Sequence, residues 1–107
     1  MKSIVNKPWG SYRIIDQGEN FIVKNIVVKP YGKLSLQSHK RRSEHWVIVE
    51  GRAEVIINDN ITTLEPNQSI YIPSKTKHRL ANNYDKNLIL RRSAVRIEGA
   101  IFIIYFF

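Results

Sequence analysis

The sequence predicts an all-β fold, a sandwich or barrel, and three observations carry the prediction. Short apolar stretches recur at close spacing with turn residues between them. No 3.6-residue apolar pattern is long enough to make a helix, and there is no internal repeat or linker. Pro8, Pro30, Pro66 and Pro73 break up any long helical run and fall at strand starts or in turns, where a missing N–H does no harm.

Taken in order, the strand candidates are YRII (12–15), FIVKNIVV (21–28), LSLQ (34–37), HWVIV (45–49), RAEVII (52–57), ITTL (61–64), SIYI (69–72) and NLIL (87–90). Gly51 joins the fourth to the fifth as a tight turn. Asn58-Asp59-Asn60 joins the fifth to the sixth as a hairpin loop, since Asn and Asp tolerate left-handed backbone and bond their own main chain. The final segment, RRSAVRIEGAIFIIYFF, has a different texture and ends in the apolar run Ala100 to Phe107. That run is too short to cross a bilayer. It reads as a last strand packed on the domain, as a strand pairing with another subunit, or as an exposed aggregation-prone end.

At 107 residues the chain is expected to form one domain, burying roughly 65 per cent of the surface its unfolded form exposes. It contains no Cys, which excludes disulfides, thiolate metal sites and Cys nucleophiles and leaves nitrogen and oxygen to hold any metal. No apolar leader precedes Pro8, and nothing approaches the ~18 apolar residues of a spanning helix, so the expectation is a cytoplasmic protein with no membrane partner. The formal charge of +8, from 17 Lys and Arg against 9 Asp and Glu, favours anionic partners. The basic residues are scattered, without the single-face helix that enters a nucleic-acid groove, so nucleic acid is disfavoured and sugar phosphates are preferred.

The chemistry concentrates in LQSHKRRSEHW (36–46) and QSIYIPSKTKHRLAN (68–82). Residues two apart on a strand share a face, so Gln37 and His39 can aim at one point inside a barrel. Glu44 follows after a turn, and His78 comes from the second stretch. Gln37, His39, Glu44 and His78 would offer two nitrogens and two oxygens to a Zn, Mn, Fe, Co or Ni ion, leaving positions open for water or substrate. A satisfied core histidine and a surface glutamine are the competing reading of the same residues.

The pattern Gln37-x-His39-x4-Glu44-x6-Gly51 followed by Pro73-x4-His78-x3-Asn82 resembles the two motifs of the cupin superfamily, with Gln37 where the first motif usually has His. KPWGSY (7–12), VVKP (27–30), LSLQSH (34–39), RSEHWVIVEG (42–51) and NQSIYIPSKTKHRLAN (67–82) more closely resemble the C-terminal domain of type II mannose-6-phosphate isomerases, often fused to a mannose-1-phosphate guanylyltransferase. The resemblance covers residues 7–90 and leaves a divergent tail at 91–107. It implies a single-domain cupin, a small antiparallel β-barrel or jelly roll, binding a divalent metal and interconverting mannose 6-phosphate and fructose 6-phosphate in carbohydrate metabolism. Gln37, His39, Glu44 and His78 are the ligands it implies. Type I isomerases use a Gln, His, Glu, His set for zinc as well. Cupins often pair, and the apolar C-terminus offers an edge to a homodimer. No Gly-rich nucleotide loop is present, so GDP-mannose synthesis is not expected.

Aldose–ketose isomerisation moves a proton between adjacent carbons, which requires a Lewis acid and a base. His45 and Lys77 are the candidate bases. Arg42, Lys77 and Arg79 are the candidate phosphate contacts, against a reading of all three as solvated rim charges. Tyr12 and Tyr71 are either sugar contacts or core.

Three departures from the family pattern stand out. Lys40 or Arg41 stands where the family commonly has His, so the KRR stretch makes the local field more cationic. Lys75 stands where a Pro-x-Gly turn has Gly, at a cost of roughly 1 kcal/mol if the turn is left-handed. After NLIL, RRSAVRIEG replaces a Glu-Val-Gln-Ser-Gly strand and an acidic segment, which suggests a shifted or degenerating frame with the barrel complete only to about Leu90. Two further functions stay open on these grounds: a non-catalytic sugar- or ligand-binding cupin, and a basic nucleic-acid-binding β-barrel.

Overall fold

The computed structural model describes residues 3–96. The apolar run Ala100 to Phe107 and its three readings therefore lie outside the described residues. The described residues form nine strands: β1 (Val5–Lys7), β2 (Gly10–Gln17), β3 (Phe21–Val28), β4 (Arg42–Glu50), β5 (Ala53–Ile57), β6 (Asn60–Leu64), β7 (Ser69–Ile72), β8 (His78–Ala81) and β9 (Leu88–Arg96). They make a six-stranded sheet in the order β1-β2-β3-β9-β4-β7 and a three-stranded sheet in the order β6-β5-β8, with every pairing antiparallel. All four prolines fall outside these strands.

The expected turns form for the expected reasons. Gly51 takes φ 85° between β4 and β5, and a Cβ there would sit 2.4 Å from the Asn87 carbonyl oxygen. Asn58 takes φ 52°, and Ile57 pairs with Asn60, so the hairpin loop is Asn58-Asp59 with Asn60 already in the strand.

Two expectations are corrected. LSLQ is not a strand: Lys33 bridges Ala81 and Gln37 bridges His78, four residues on one side against three on the other, so a regular ladder cannot run between them. The barrel also does not stop at Leu90. β9 continues to Arg96 in the middle of the large sheet, pairing with β3 out to Phe21↔Val95 and with β4 out to Arg42↔Arg96. Its alternation supplies Leu88, Leu90, Arg92 and Ala94 to the interior.

The inner faces differ from end to end. Ile26, Ile48 and Leu90 share one rung with Tyr12 at its edge, and Val28, Leu88, Leu34, Val55, Leu64 and Leu80 extend this apolar core. The next rung holds Lys24, Arg92 and Trp46, and the one beyond holds Ala94 and Glu44. One end of the barrel is thus apolar and the other ionic.

Candidate metal centre

Three candidate ligands converge at the ionic end. One donor atom from each of His39, Glu44 and His78 lies within 4.8 Å of the others, and all three side chains are buried. Glu44 comes from β4, His78 opens β8 on the facing sheet, and His39 sits in the segment leading into β4. Lys75, at φ 64°, donates its N–H to the His39 carbonyl. The left-handed turn is thus kept without glycine, and it tethers the ligand segment.

Glu44, 2% exposed, is the hub. Its Oε2 accepts from Arg42 Nε at 3.1 Å and Nη2 at 2.9 Å and lies 3.3 Å from His39 Nε2. Its Oε1 accepts from Trp46 Nε1 at 2.9 Å and faces Arg92 Nε at 3.5 Å. Burial alone would raise the carboxyl's pKa, but Arg92, Arg42 and the indole outweigh it and hold the pKa below the ordinary carboxylate value.

Both imidazoles are chemically suited to bind a metal. Thr76 O can only accept, so His78 Nδ1 carries the proton at 2.9 Å from it and Nε2 carries the lone pair. Arg42 can only donate, so His39 Nε2 presents its lone pair at 2.9 Å. Burial, then Arg42, pushes His39 down to about 4, and burial lowers His78. Neutral imidazoles and an ionised carboxylate are the donor state a divalent ion requires. The ring centroids of His39 and His78 are 5.2 Å apart, and Trp46 closes the edge of His78 at 5.8 Å.

Gln37 lies beside this cluster, partly buried. Its main chain exchanges both hydrogen bonds with His78, at 2.9 and 2.8 Å, and such directly opposed residues share a face. Its side-chain Nε2 donates to Ser35 Oγ at 3.2 Å. Among the phosphate candidates, only Arg42 points inward.

Strand alternation turns the remaining candidates away from this cluster. His45 is exposed on the outer face of β4, opposite Tyr71 and Ser93, so it points away from anything Glu44 holds. His78 points inward, which turns its neighbours outward: Lys77 is exposed, and Arg79 spends its Nε on the Leu34 carbonyl at 3.0 Å. Tyr71 is exposed on the edge strand β7.

Sequence reasoning passed over Lys24 and Arg92, which are 1% and 2% exposed. Lys24 Nζ lies 4.2 Å from the Tyr12 ring centroid. Burial, then Arg92 and Arg42, pushes Lys24 down to about 5, and burial pushes Arg92 down to about 10. A signal was present in both strands. Lys24 shares parity with Ile22, Ile26 and Val28, and Arg92 with Leu88, Leu90 and Ala94.

Residues 1–97 match the family model described as mannose-6-phosphate isomerase, C-terminal. The chain belongs to the mannose-6-phosphate isomerase C-terminal family. Over 78 residues it is 53% identical to the alginate biosynthesis protein AlgA of Pseudomonas putida, a match covering 73% of this chain and 16% of that protein. It is 51% identical over 78 residues to the mannose-1-phosphate guanylyltransferase ManC of Salmonella typhimurium, with the same shares covered. The chain thus spans about a sixth of the length of the curated relatives it matches. Among solved structures it superposes on an RmlC-like cupin from Shewanella frigidimarina with a TM-score of 0.80 at 16% identity, covering 92% of this chain and 86% of that one. The cupin fold expected from the two motifs is the fold observed. Among the described residues, no helix is long and apolar enough to cross a membrane.

Proposed function

We propose that this family member is a divalent-metal site for sugar-phosphate isomerisation, of the mannose 6-phosphate to fructose 6-phosphate type. The observation that carries the reading is the convergence of His39, Glu44 and His78 inside the barrel. Gln37 is the fourth ligand of the proposal, within reach because it shares a face with His78. A bound ion would supply Lewis acidity for the negative oxygen that develops during isomerisation.

The protein's own residues do the rest. Arg42 and Arg92 bring fixed positive charge for the substrate phosphate, and a guanidinium matches phosphate oxygens two at a time. The base must face inward, which favours Lys24 over His45 and Lys77. Its neutral amine can take the proton from C2 of the open-chain aldose and return it to C1. The apolar rungs below keep water from the transfer.

The test is metal analysis of the purified full chain combined with an assay coupled to fructose 6-phosphate formation. Near one divalent ion per chain, lost in His78→Ala, is the expected result; metal-free protein with an intact fold would defeat the ligand assignment. Lys24→Met should lower kcat by roughly 100-fold or more while leaving the metal in place.

A second reading, a sugar-binding cupin that kept the barrel and lost the chemistry, is favoured by the two guanidinium groups that crowd Glu44. Metal bound at full occupancy without isomerase activity would select it.

A further inference from the structure

The ligand reading leaves one geometric conflict inside the site. Arg42 Nη2 lies 2.9 Å from His39 Nε2 and 2.9 Å from Glu44 Oε2, and Arg42 Nε lies 3.1 Å from the same oxygen. An imidazole nitrogen without its proton has one lone pair, in the ring plane. His39 Nε2 can therefore accept from the guanidinium or bind an ion, but not both. The spacing of the two donors suits either occupant. Their separation of 3.3 Å is close to the edge of a coordination polyhedron with bonds of about 2.1 Å, and one guanidinium nitrogen also reaches both atoms, at 2.9 Å each.

We propose that Arg42 is a built-in competitor for the metal: its guanidinium holds the His39 lone pair and one Glu44 oxygen, and metal uptake exchanges it for the ion. The proposal rests on the metal-site reading above. It makes Arg42 a positioning residue in the metal-free protein, where it keeps Glu44 and His39 aligned, and a group that must move once the ion arrives. Electrostatics points the same way. A guanidinium at hydrogen-bond distance from both donors would stand against a divalent cation, and Arg92 beside Oε1 adds to the charge that already opposes entry. Affinity for metal is therefore set by Arg42 as well as by the ligands.

Titration of the full chain with cobalt(II), with zinc as competitor, tests this by reading affinity rather than turnover. Arg42→Met should bind at least tenfold more tightly than the wild type, a difference of about 1.4 kcal/mol. Arg42→Lys, which keeps a charge but cannot bridge two acceptors in the same plane, should fall between them. Wild-type protein that binds no metal while Arg42→Met does would mean that Arg42 excludes the ion instead of exchanging with it, and would overturn the exchange. Equal or weaker binding by Arg42→Met overturns the exchange and leaves the metal reading intact, whereas absence of binding in all variants overturns both.

Should Arg42→Met fail to fold, the wild type alone decides the matter. The Arg42 Nε–H resonance, assigned by its loss in Arg42→Lys, should shift and exchange faster with solvent when zinc saturates the site. A resonance unmoved at saturation overturns the proposal.

Discussion

Two arginine pairs, Arg41-Arg42 and Arg91-Arg92, show how one residue type acquires two roles in adjacent positions. Arg41 and Arg91 are exposed, and Arg91 Nε donates to Asn25 Oδ1 at 3.3 Å on the outer face. Arg42 and Arg92 are buried and converge on Glu44. Arg91 and Arg92 lie in β9, while Arg42 opens the neighbouring strand β4 with Arg41 just before it, so successive residues point oppositely and one member of each pair meets water while the other reaches the ionic end of the barrel. Charge outside is screened; charge inside has Glu44 as its ionised counterweight among the buried described residues.

The sharpest way to break this contrast is to remove the shared anion. Glu44→Gln leaves two buried guanidinium groups without their counter-charge and should cost about 3–5 kcal/mol in urea denaturation. Glu50→Gln, on an exposed residue of the same strand, should stay within about 0.5 kcal/mol. Next in size are the arginines themselves. Arg92→Met should cost about 2 kcal/mol, because Arg42 and Trp46 still hold Glu44, while Arg91→Met should again stay within about 0.5 kcal/mol. Equal effects at positions 91 and 92 would remove the distinction.

Acid should expose the interior groups more gradually. His39 is lowered from 6.5 to about 4 and Lys24 from 10.5 to about 5, so between those limits the unfolded chain binds more protons than the folded one. Stability must then rise with pH. The His39 contribution is complete above its ordinary value and is lost as pH falls toward about 4, and that of Lys24 is lost toward about 5, at up to about 1.4 kcal/mol per pH unit for each group. The Tm of metal-free protein should therefore fall on acidification from neutral pH toward about 4.5, and His39→Gln should flatten the part of the slope below its ordinary value. The smallest effect belongs to the turn outside the barrel wall. Lys75→Gly relieves the left-handed backbone at φ 64° and should stabilise the fold by a few tenths of a kcal/mol, roughly, since glycine's unfolded-state entropy offsets part of the gain.

Much of the fold was legible because strands announce themselves locally. FIVKNIVV and SIYI are strands over their full expected lengths, and Gly51 and Asn58 adopt the left-handed backbone their residue types tolerate. The short strands β1 (VNK) and β8 (HRLA) were not read, because neither carries an apolar run that marks a strand. LSLQ misled because an alternating run does not reveal whether its partner can keep register. Lys24 and Arg92 were missed because a charged residue in a strand ordinarily marks the solvent face; only parity with its apolar neighbours says otherwise.

By itself the sequence determined the all-β class, the turn positions, and the motif spacing that singled out Gln37, His39, Glu44 and His78. It also limited any metal donors to nitrogen and oxygen. Only the tertiary structure decided that His45, Lys77 and Arg79 face outward, that β9 runs on to Arg96 through the middle of the large sheet, and that Arg42 sits on the lone pair of His39. The physical reason is that composition and spacing act along the chain, whereas side-chain facing and charge pairing depend on which strands become neighbours, and that is settled by burial across the whole barrel.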